Sequence, residues 1–430
     1  MNSKSIYLGV FSNISGNVLM LGATIWLTRI LSPAEFGEFR VGANFATMMV
    51  PFLSLGGERL ISRLIQNNPN HAPEVSRALG ATLMLVMLGF FILTVVYPLL
   101  SKVLFDEKLG AAVYFLSILI IPMAIAYNLA NTIWRHVGSP AAAQIDLNLS
   151  QRLLRAPLLI VTGLLWPTAF SASLAMAAAQ ALSLARIHRN LTRYLSWPRN
   201  WISSLRENFG TLASIGLPVA VIASIDRLDV LLVNYVMGVE RAGAYDLVYM
   251  LALTAMFPAM AMSKTAEPLL FALAQDSARQ KRVASLQTRT FLLSVAAIAG
   301  VFIVAPIAAH YLTNVGPGFA QAAIVMSAGL AFSSCYGPVL EYLQINGKTR
   351  MVILTVLALL LLFIFLKYLA AVTGSIVGVA TLAGMFYFVL RSVLSFYIYL
   401  TDRVLMGRPW LIIVSLIGYV AVVLYAGDWK

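Results

Sequence analysis

The chain has 430 residues, of which 60% are hydrophobic and only 11% charged, and its formal net charge is +13. Soluble domains carry about 25% charged residues, so this composition excludes a water-soluble globular protein and indicates one embedded largely in lipid. The sequence has no P-loop, HExxH or CxxC motif, which disfavours an ATP-driven pump. It predicts no metal site, no cofactor and no catalytic residue set, so we do not expect an enzyme. The single Cys335 excludes an intramolecular disulfide framework.

Long apolar runs predict about twelve transmembrane helices, since a bilayer core needs about 20 apolar residues per helix. The first run has no signal-peptide cleavage site after it, and we expect it to be retained as a helix. A shorter run at 410–426 is either a thirteenth span or an interfacial tail. The twelve runs are 7–31, 37–62, 78–104, 109–134, 143–166, 168–187, 210–237, 243–271, 286–311, 320–344, 350–372 and 375–400.

The first two runs join at a hinge, Leu31–Phe39, that recurs halfway along the chain. Its degenerate second copy is Gly238–Tyr245, in which Gly243 aligns with Gly37. A repeated hairpin in a membrane protein indicates two similar bundles, the architecture of many transporters. We therefore predict an all-α polytopic membrane protein with two six-helix pseudo-repeat lobes. The predicted parts are a lobe at 1–187, a cytoplasmic basic linker at 188–209, a lobe at 210–400 and a tail at 401–430.

Positive charge in the loops orients the chain. Loops after the even-numbered runs are basic, whereas those after the odd-numbered runs, such as Trp166–Thr168, carry little positive charge. Cytoplasmic loops hold the excess of Lys and Arg, so we expect a cytoplasmic N-terminus. The loop after the sixth run carries Arg186, Arg189, Arg193, Arg199 and Arg206. Its alternation of Arg with aromatic residues favours a segment on the anionic cytoplasmic leaflet rather than a nucleic-acid site.

Ionisable side chains at membrane depth cost about 2.5–3.5 kcal/mol each, so they usually face a cavity or a partner. The deepest are Arg152, Arg155, Asp226, Arg227 and Arg391, and we expect them to line a cavity rather than only to form structural ion pairs. Those near helix ends either join that cavity or reach the interface; they are Glu58, Arg59, Arg63, Lys264, Glu267 and Glu341. Lys367 is expected to be an interfacial anchor. A cleft lined with Arg favours an anion such as a phosphate or pyrophosphate headgroup over a cationic drug.

Both hinges and their flanks resemble a known group of transporters. Leu27–Phe39 followed by Leu55–Leu60 looks like the opening of Wzx-type polysaccharide flippases, members of the multidrug/oligosaccharidyl-lipid/polysaccharide (MOP) exporter superfamily. Ile225–Leu232, followed by Gly238 and Gly243–Tyr245, looks like the corresponding pattern in the second half. The resemblance implies two lobes around a basic cavity. It also implies export of an undecaprenyl-pyrophosphate-linked oligosaccharide across the bacterial inner membrane, for lipopolysaccharide or exopolysaccharide biosynthesis.

The resemblance also implies roles for individual residues and partners. The cationic cavity would be formed by Arg29, Arg59, Arg152, Arg155, Arg227 and Arg391. An ion gradient would drive transport, and the candidates for carrying the coupling ion are Glu58, Asp146 and Asp226. The expected partners are the lipid-linked oligosaccharide, membrane lipids and a polysaccharide polymerase or export complex. The alternatives are a cation-coupled multidrug exporter of the same fold, a non-transporting membrane scaffold and, as a close variant, a lipid II flippase.

Overall fold

The computed structural model describes residues 3–67, 72–103, 109–192, 201–260, 270, 277–312, 315–404, 406 and 408–427. Within these ranges the regular elements are all helical, which confirms the predicted all-α class. Nine of the described helical segments are long and apolar enough to cross a bilayer, and a shorter apolar helix covers Ile14–Ile30. The protein is therefore a multi-pass membrane protein. The predicted interfacial residues Lys264 and Glu267 lie outside the described residues.

The chain forms two compact units, and the first is Met1–Gly243. Within it, α6 packs against α9 and α2, while α10 packs against α2 and α4. The helices of this unit are α1 (Ser3–Ile30), α2 (Pro33–Ser54), α3 (Gly57–Asn67), α4 (Ala72–Val95), α5 (Tyr97–Val103), α6 (Ala111–Val137), α7 (Pro140–Ile145), α8 (Gln151–Leu165), α9 (Ala169–Thr192) and α10 (Trp201–Met237), followed by the start of α11 (Val239–Leu253).

The first hinge begins α2 with an ordinary helix cap. The Ser32 hydroxyl accepts a hydrogen bond from the Glu35 backbone N–H at 3.2 Å, and Pro33 takes the first helical position. The two aligned hinge glycines pack directly on each other, because a Cβ added to Gly243 would lie 2.9 Å from the Cα of Gly37. A side chain at either position would force these backbones apart. The repeat of glycine in both hinges therefore reflects a close backbone crossing.

The second predicted run, 37–62, is broken in the structure. Helix α2 ends at Ser54, and Leu55 and Gly56 both adopt positive φ angles, 39° and 73°. Helix α3 then starts at Gly57 as an 11-residue helix with a polar and an apolar face. The prediction of one continuous span was wrong here because Gly56 and Gly57 let the chain turn, and the segment after them is too polar to remain in lipid.

The predicted linker at 188–209 is helical at both described ends. Helix α9 continues to Thr192 and α10 begins at Trp201, while 193–200 lies outside the described residues. Helix α10 packs within the first unit, although the sequence pattern groups 210–237 with the second pseudo-repeat. The division into two six-helix lobes stays a prediction. It states which helices are equivalent in the two repeats, and helix packing does not test that.

The second unit, Ala244–Lys430, is organised around one buried helix. After the rest of α11, its helices are α12 (Ser277–Tyr311), α13 (Phe319–Phe332), α14 (Val339–Ile345), α15 (Thr349–Val372), α16 (Ile376–Asp402) and α17 (Pro409–Gly427). The buried helix is α13, whose residues are almost all buried, and it packs against α12, α16 and α17. A Cβ added to Gly384 of α16 would lie 3.1 Å from the Cα of Gly329 of α13, so small residues permit this contact.

The apolar run at 410–426 forms α17 and is integrated into the second unit. Gly418 faces the ring of Phe332, and the Tyr419 hydroxyl donates a hydrogen bond to the Thr381 carbonyl at 2.7 Å. Its length and composition also suffice to cross a bilayer. These features favour a thirteenth span over an interfacial tail.

The glycine contact at the hinge predicts a stability difference. Gly37→Ala should lower the melting temperature of the purified protein, because its Cβ would overlap the Val239 carbonyl; overpacking of this kind costs about 1–3 kcal/mol. Gly22→Ala in α1 is the matched control. A Cβ there meets nothing within 4 Å, so helix propensity alone should leave stability unchanged or slightly higher. Equal melting temperatures for the two variants would contradict the tight crossing.

Candidate functional site

A buried polar cluster lies inside the first unit, where α1, α6, α8 and α9 meet. It combines three arginines with one carboxylate and several neutral hydrogen-bonding groups. We call it the arginine cluster, and its members are Tyr127, Asp146, Asn148, Gln151, Arg152, Arg155, Gln180 and Arg186. Sequence analysis predicted Asp146, Arg152 and Arg155 as functional residues, and the structure brings these three together.

The cluster is built around a π-helical turn, Asp146–Ser150, between α7 and α8. The Gln151 backbone N–H donates to the Asp146 carbonyl, five residues back. Such turns insert an extra residue into a helix and occur frequently at functional sites. The prediction of a single helix over 143–166 did not include this turn, which changes the angular relation between Asp146 and the arginines that follow it.

Asp146 is the one acidic member of the cluster, and it is almost completely buried at 4% exposure. Its Oδ2 accepts a hydrogen bond from the Tyr127 hydroxyl of α6 at 2.7 Å, and its Oδ1 forms an ion pair with Arg186 of α9. The Arg186 side chain is 42% exposed, so this pair joins a buried anion to a cation that reaches the surface of the unit. The carboxylate is thus held by a neutral donor on one side and a charged one on the other.

Arg155 and Arg152 form the cationic part of the cluster. The Arg155 guanidinium donates to the Gln180 Oε1, and Gln151 donates to that same oxygen at 2.9 Å. Arg152 lies against Gly16 of α1, where an added Cβ would be 2.8 Å from its Cδ. The two guanidinium groups are close enough to act on each other electrostatically, and so are Arg155 and Tyr127. Gly16 therefore makes room for a second cation beside the first.

Two donors in the cluster have no hydrogen-bond partner among the described residues. They are the buried Nε of Arg155 and the buried Nδ2 of Asn148, a side chain that is 5% exposed. A buried donor without a partner costs about 1–3 kcal/mol, more for a charged group. Both donors belong to the π turn or to the helix that follows it. A ligand with several acceptor oxygens would satisfy them.

The charge balance of this region favours an anion. Between residues 111 and 192 Asp146 is the single acidic residue, whereas Arg135, Arg152, Arg155, Arg186 and Arg189 are cationic. Buried like charges repel strongly in a low dielectric and are stabilised by an oxyanion that bridges them. Phosphate and carboxylate groups are the anions that guanidinium binds in bidentate geometry. The cluster is therefore suited to an oxyanion.

Sequence analysis missed Arg186, Gln180 and Tyr127. It assigned Arg186 to a cytoplasmic loop, because α9 was expected to end at residue 187 and the arginine near its end matched a loop charge. The useful signal was the charge balance, since a lone acid in an 82-residue stretch needs a cation nearby. The neutral residues Gln180 and Tyr127 had no comparable signal, because they contribute through tertiary contacts.

The other predicted residues of the first unit lie elsewhere. Arg227 of α10 donates to the Asn44 Oδ1 of α2 at 2.6 Å, and Asn44 in turn donates to the Arg40 carbonyl at 2.8 Å. Arg29 and Arg59 are exposed, at the end of α1 and on α3. None of the contacts described for these residues joins them to the arginine cluster.

The predicted acidic candidates also differ in their surroundings. The Glu58 carboxylate of α3 accepts a hydrogen bond from the Asn128 side chain of α6 and is influenced electrostatically by Arg135, so it lies at the contact between these two helices. The backbone of Asp226 lies in α10, but its side chain falls outside what the structure describes. Asp146 is thus the acidic candidate with the most complete set of described contacts.

Arg391 belongs to the second unit and is 8% exposed. Its Nη1 donates to the Ser333 carbonyl at 3.3 Å, and Glu341 lies near enough to act on it electrostatically. The prediction that Lys367 is an interfacial anchor was wrong. Lys367 is 1% exposed, and its Nζ lies 5.4 Å from the centre of the Phe386 ring, because α15 turns this face toward α16. Cation–π contact of this kind stabilises a buried ammonium.

The sequence matches a family model described as polysaccharide biosynthesis protein over residues 3–274. No curated protein matches it. Among solved structures it is similar to the lipid II flippase MurJ in an inward closed conformation, with a TM-score of 0.71 and 11% identity over 98% of both chains.

Two further structures show the same fold. An inward-facing multidrug resistance MATE family transporter of the MOP superfamily gives a TM-score of 0.64 at 14% identity, covering 91% of this chain and 95% of that one. A MOP superfamily transporter from Pyrococcus furiosus gives 0.61 at 15% identity, covering 94% and 97%. The family match, which covers more than half of the chain, confirms the predicted link to polysaccharide biosynthesis proteins, and the solved structures show that the chain shares their fold.

The hydrogen bonds of Gln180 predict that Gln180→Leu destabilises the protein more than Gln151→Leu does. Gln180→Leu removes the acceptor shared by Arg155 and Gln151 and should destabilise the protein by about 2–4 kcal/mol, since it leaves a buried cation without its partner. Gln151→Leu is the control, because it deletes one bond and keeps the contact between Arg155 and Gln180; its cost should be about 1 kcal/mol. Thermal unfolding of both purified variants tests this order, and a larger loss in Gln151→Leu would contradict it.

Proposed function

We propose that this chain, which belongs to the polysaccharide biosynthesis protein family, is a flippase for a lipid-linked oligosaccharide. The substrate would be an undecaprenyl-pyrophosphate glycan moved from the cytoplasmic to the outer leaflet of the bacterial inner membrane, with the N-terminus of the protein in the cytoplasm. The observation that carries the proposal is the excess of positive charge in the arginine cluster, together with the buried Arg155 Nε and Asn148 Nδ2, which lack partners among the described residues. No feature of the sequence supplies nucleotide binding, so ion-coupled alternating access is the proposed energy source.

In this proposal the pyrophosphate binds the guanidinium groups of Arg152 and Arg155. A pyrophosphate offers several acceptor oxygens, which matches the paired cations and the unsatisfied nitrogens of Arg155 and Asn148. The prenyl tail stays in lipid, because moving a long hydrocarbon through a polar cluster would cost about 0.8 kcal/mol per CH₂ exposed to water. The cluster thus binds the pyrophosphate, the part of the substrate whose charge makes transfer through the bilayer most costly.

Arg227 and Arg391 stay proposed cations for the substrate. Arg227 donates to the Asn44 side chain, and Arg391 donates to the Ser333 carbonyl. Arg29 and Arg59 are weaker candidates because they are exposed. Among the ion-coupling candidates, Asp146 is the best supported, since it is buried next to the proposed headgroup site; Glu58 and Asp226 stay alternatives.

A cation-coupled multidrug exporter is less well supported. Its fold would be the same, but a site for cationic drugs needs acidic and aromatic walls, whereas the cluster has three arginines for one carboxylate. A non-transporting scaffold would give no role to the paired cations Arg152 and Arg155. Drug sensitivity of a deletion strain would favour the exporter, and unchanged lipid-linked intermediates would favour the scaffold.

Mass spectrometry of lipid-linked oligosaccharides tests the function directly. Inner membranes of a deletion strain should accumulate one undecaprenyl-pyrophosphate glycan relative to the complemented parent, and its mass would identify the sugar unit. If the strain has no second flippase and nothing accumulates, the proposed function is wrong.

Charge removal in the cluster should stop export while the protein still folds. We expect Arg152→Gln and Arg155→Gln each to reduce export about 10- to 150-fold, because each removes a charge-assisted bond worth about 1.5–3 kcal/mol. Arg189→Gln, at an exposed position on the same stretch of chain, is the control and should export normally. Membrane levels of each variant must equal those of the wild type, and normal export by both cluster variants would eliminate this site.

A further inference from the structure

The ion pair between Asp146 and Arg186 has a geometry that a purely structural contact does not require. Its carboxylate is 6% exposed and its guanidinium 42% exposed. A buried ion pair stabilises a fold best when both partners are enclosed and fully hydrogen-bonded. Here the cation extends outward from a carboxylate that the Tyr127 hydroxyl also holds. Arg186 can therefore leave Asp146 by side-chain rotation alone.

Arg186 and Arg155 both act electrostatically on the Tyr127 hydroxyl, which itself donates to Asp146. Arg155 and Arg152 also act on each other. Tyr127 thus connects the Asp146–Arg186 pair with the paired cations. The negative charge of Asp146 would repel an anion bound at Arg155, since charges act over longer distances in a low dielectric.

We propose that Asp146 is a displaceable counter-anion: it holds Arg186 in the empty site, and the phosphate of the substrate takes Arg186 over when it binds to Arg152 and Arg155. This inference rests on the proposed function. It assigns a role to the Asp146–Arg186 pair, which pyrophosphate binding by Arg152 and Arg155 alone does not use. Arg186 is then a third phosphate ligand, and Tyr127 is a positioning residue that keeps Asp146 in place after the arginine has left.

The exchange explains how the cluster can be stable both empty and occupied. Without substrate, Asp146 compensates one of three cations and Tyr127 satisfies its second oxygen. With substrate, the phosphate replaces that compensation and adds acceptors for the unpartnered Arg155 Nε and Asn148 Nδ2. A site that lacked the internal carboxylate would bind the headgroup more tightly and release it more slowly, since affinity changes fall mostly on the dissociation rate. Asp146 therefore favours turnover over affinity.

Equilibrium binding of geranyl pyrophosphate to the purified full-length protein in detergent tests the exchange, with inorganic pyrophosphate in a parallel series to separate headgroup from prenyl contributions. Asp146→Asn should lower the Kd about tenfold, a change that corresponds to about 1.4 kcal/mol. Tyr127→Phe, which keeps every charge, should lower it about threefold. Both variants should slow export. Arg186→Gln should raise the Kd.

Asp402→Asn is the matched control for this series. Asp402 in the second unit accepts a hydrogen bond from the Tyr342 hydroxyl at 2.9 Å and pairs with Lys348, so it has the same type of partners but is not a member of the arginine cluster. Its substitution should leave the Kd unchanged. An equal gain of affinity in Asp402→Asn would mean that the effect of Asp146→Asn is not local.

The double variant Asp146→Asn/Arg186→Gln distinguishes transfer of Arg186 to the phosphate from simple repulsion of the phosphate by Asp146. If Arg186 moves to the phosphate, the tenfold gain from Asp146→Asn should shrink to less than about threefold in an Arg186→Gln background, because the freed arginine is missing. If Asp146 only repels the ligand, the gain should be equal or larger in that background, and the inference is overturned. Unchanged Kd values in both Asp146→Asn and Tyr127→Phe would overturn it as well.

The same titrations distinguish this inference from the proposed function. If the wild type binds geranyl pyrophosphate and Arg155→Gln does not, the proposed headgroup site is supported, whatever the Kd values of the Asp146 variants are. If the wild type and Arg155→Gln bind equally, or neither binds, both the headgroup site and the exchange are wrong. If Asp146→Asn does not fold, the Kd of Tyr127→Phe still tests the exchange, since this variant loses one hydrogen bond and no charge.

Discussion

The interaction on which this molecule depends is that between guanidinium groups and an anion in a medium of low dielectric. Three arginines in the first unit share one carboxylate, Asp146, and no other acid lies within residues 111–192. Water would make such an imbalance harmless, whereas a membrane makes it expensive. A chain that retains it must either recover the cost from a ligand or lose stability. The proposed function gives that ligand a chemical class, a lipid-linked pyrophosphate.

The backbone around the cluster is shaped to keep these groups together. The π turn at Asp146–Ser150 sets the angle between the carboxylate and the arginines that follow, and Gly16 lets α1 approach Arg152. The crossing of Gly37 and Gly243 brings the two hinge backbones into contact. At Gly16, Gly37 and Gly243 the absence of a side chain lets helices approach each other closely, as in other membrane helix contacts. Close packing gives the cluster a rigid frame, while Arg186 reaches the surface of the unit.

Sequence reasoning predicted the helical class, the repeated hinge and the deep arginines, because hydropathy and charge at membrane depth are strong local signals. It could not find the break after Ser54 or the π turn, since both keep an apolar composition and differ only in backbone geometry. It misassigned Arg186 and Lys367 because a cation near a predicted helix end looks the same whether it points to water or to a partner. Gln180 and Tyr127 gain their roles from tertiary contacts alone, which periodicity does not encode.

Transport of a fluorescent short-chain prenyl-pyrophosphate disaccharide in proteoliposomes tests whether Arg155 binds the headgroup during transport. Wild-type protein, Arg155→Lys and Arg155→Gln are reconstituted at equal density under an imposed ion gradient, and a quencher added outside reports how much substrate lies in the outer leaflet. We expect the fastest movement with the wild type and slower movement with the lysine variant, which keeps the charge but loses bidentate binding. The glutamine variant should be slowest, at about a tenth of the wild-type rate or less. Equal rates in all three would show that Arg155 does not bind the headgroup.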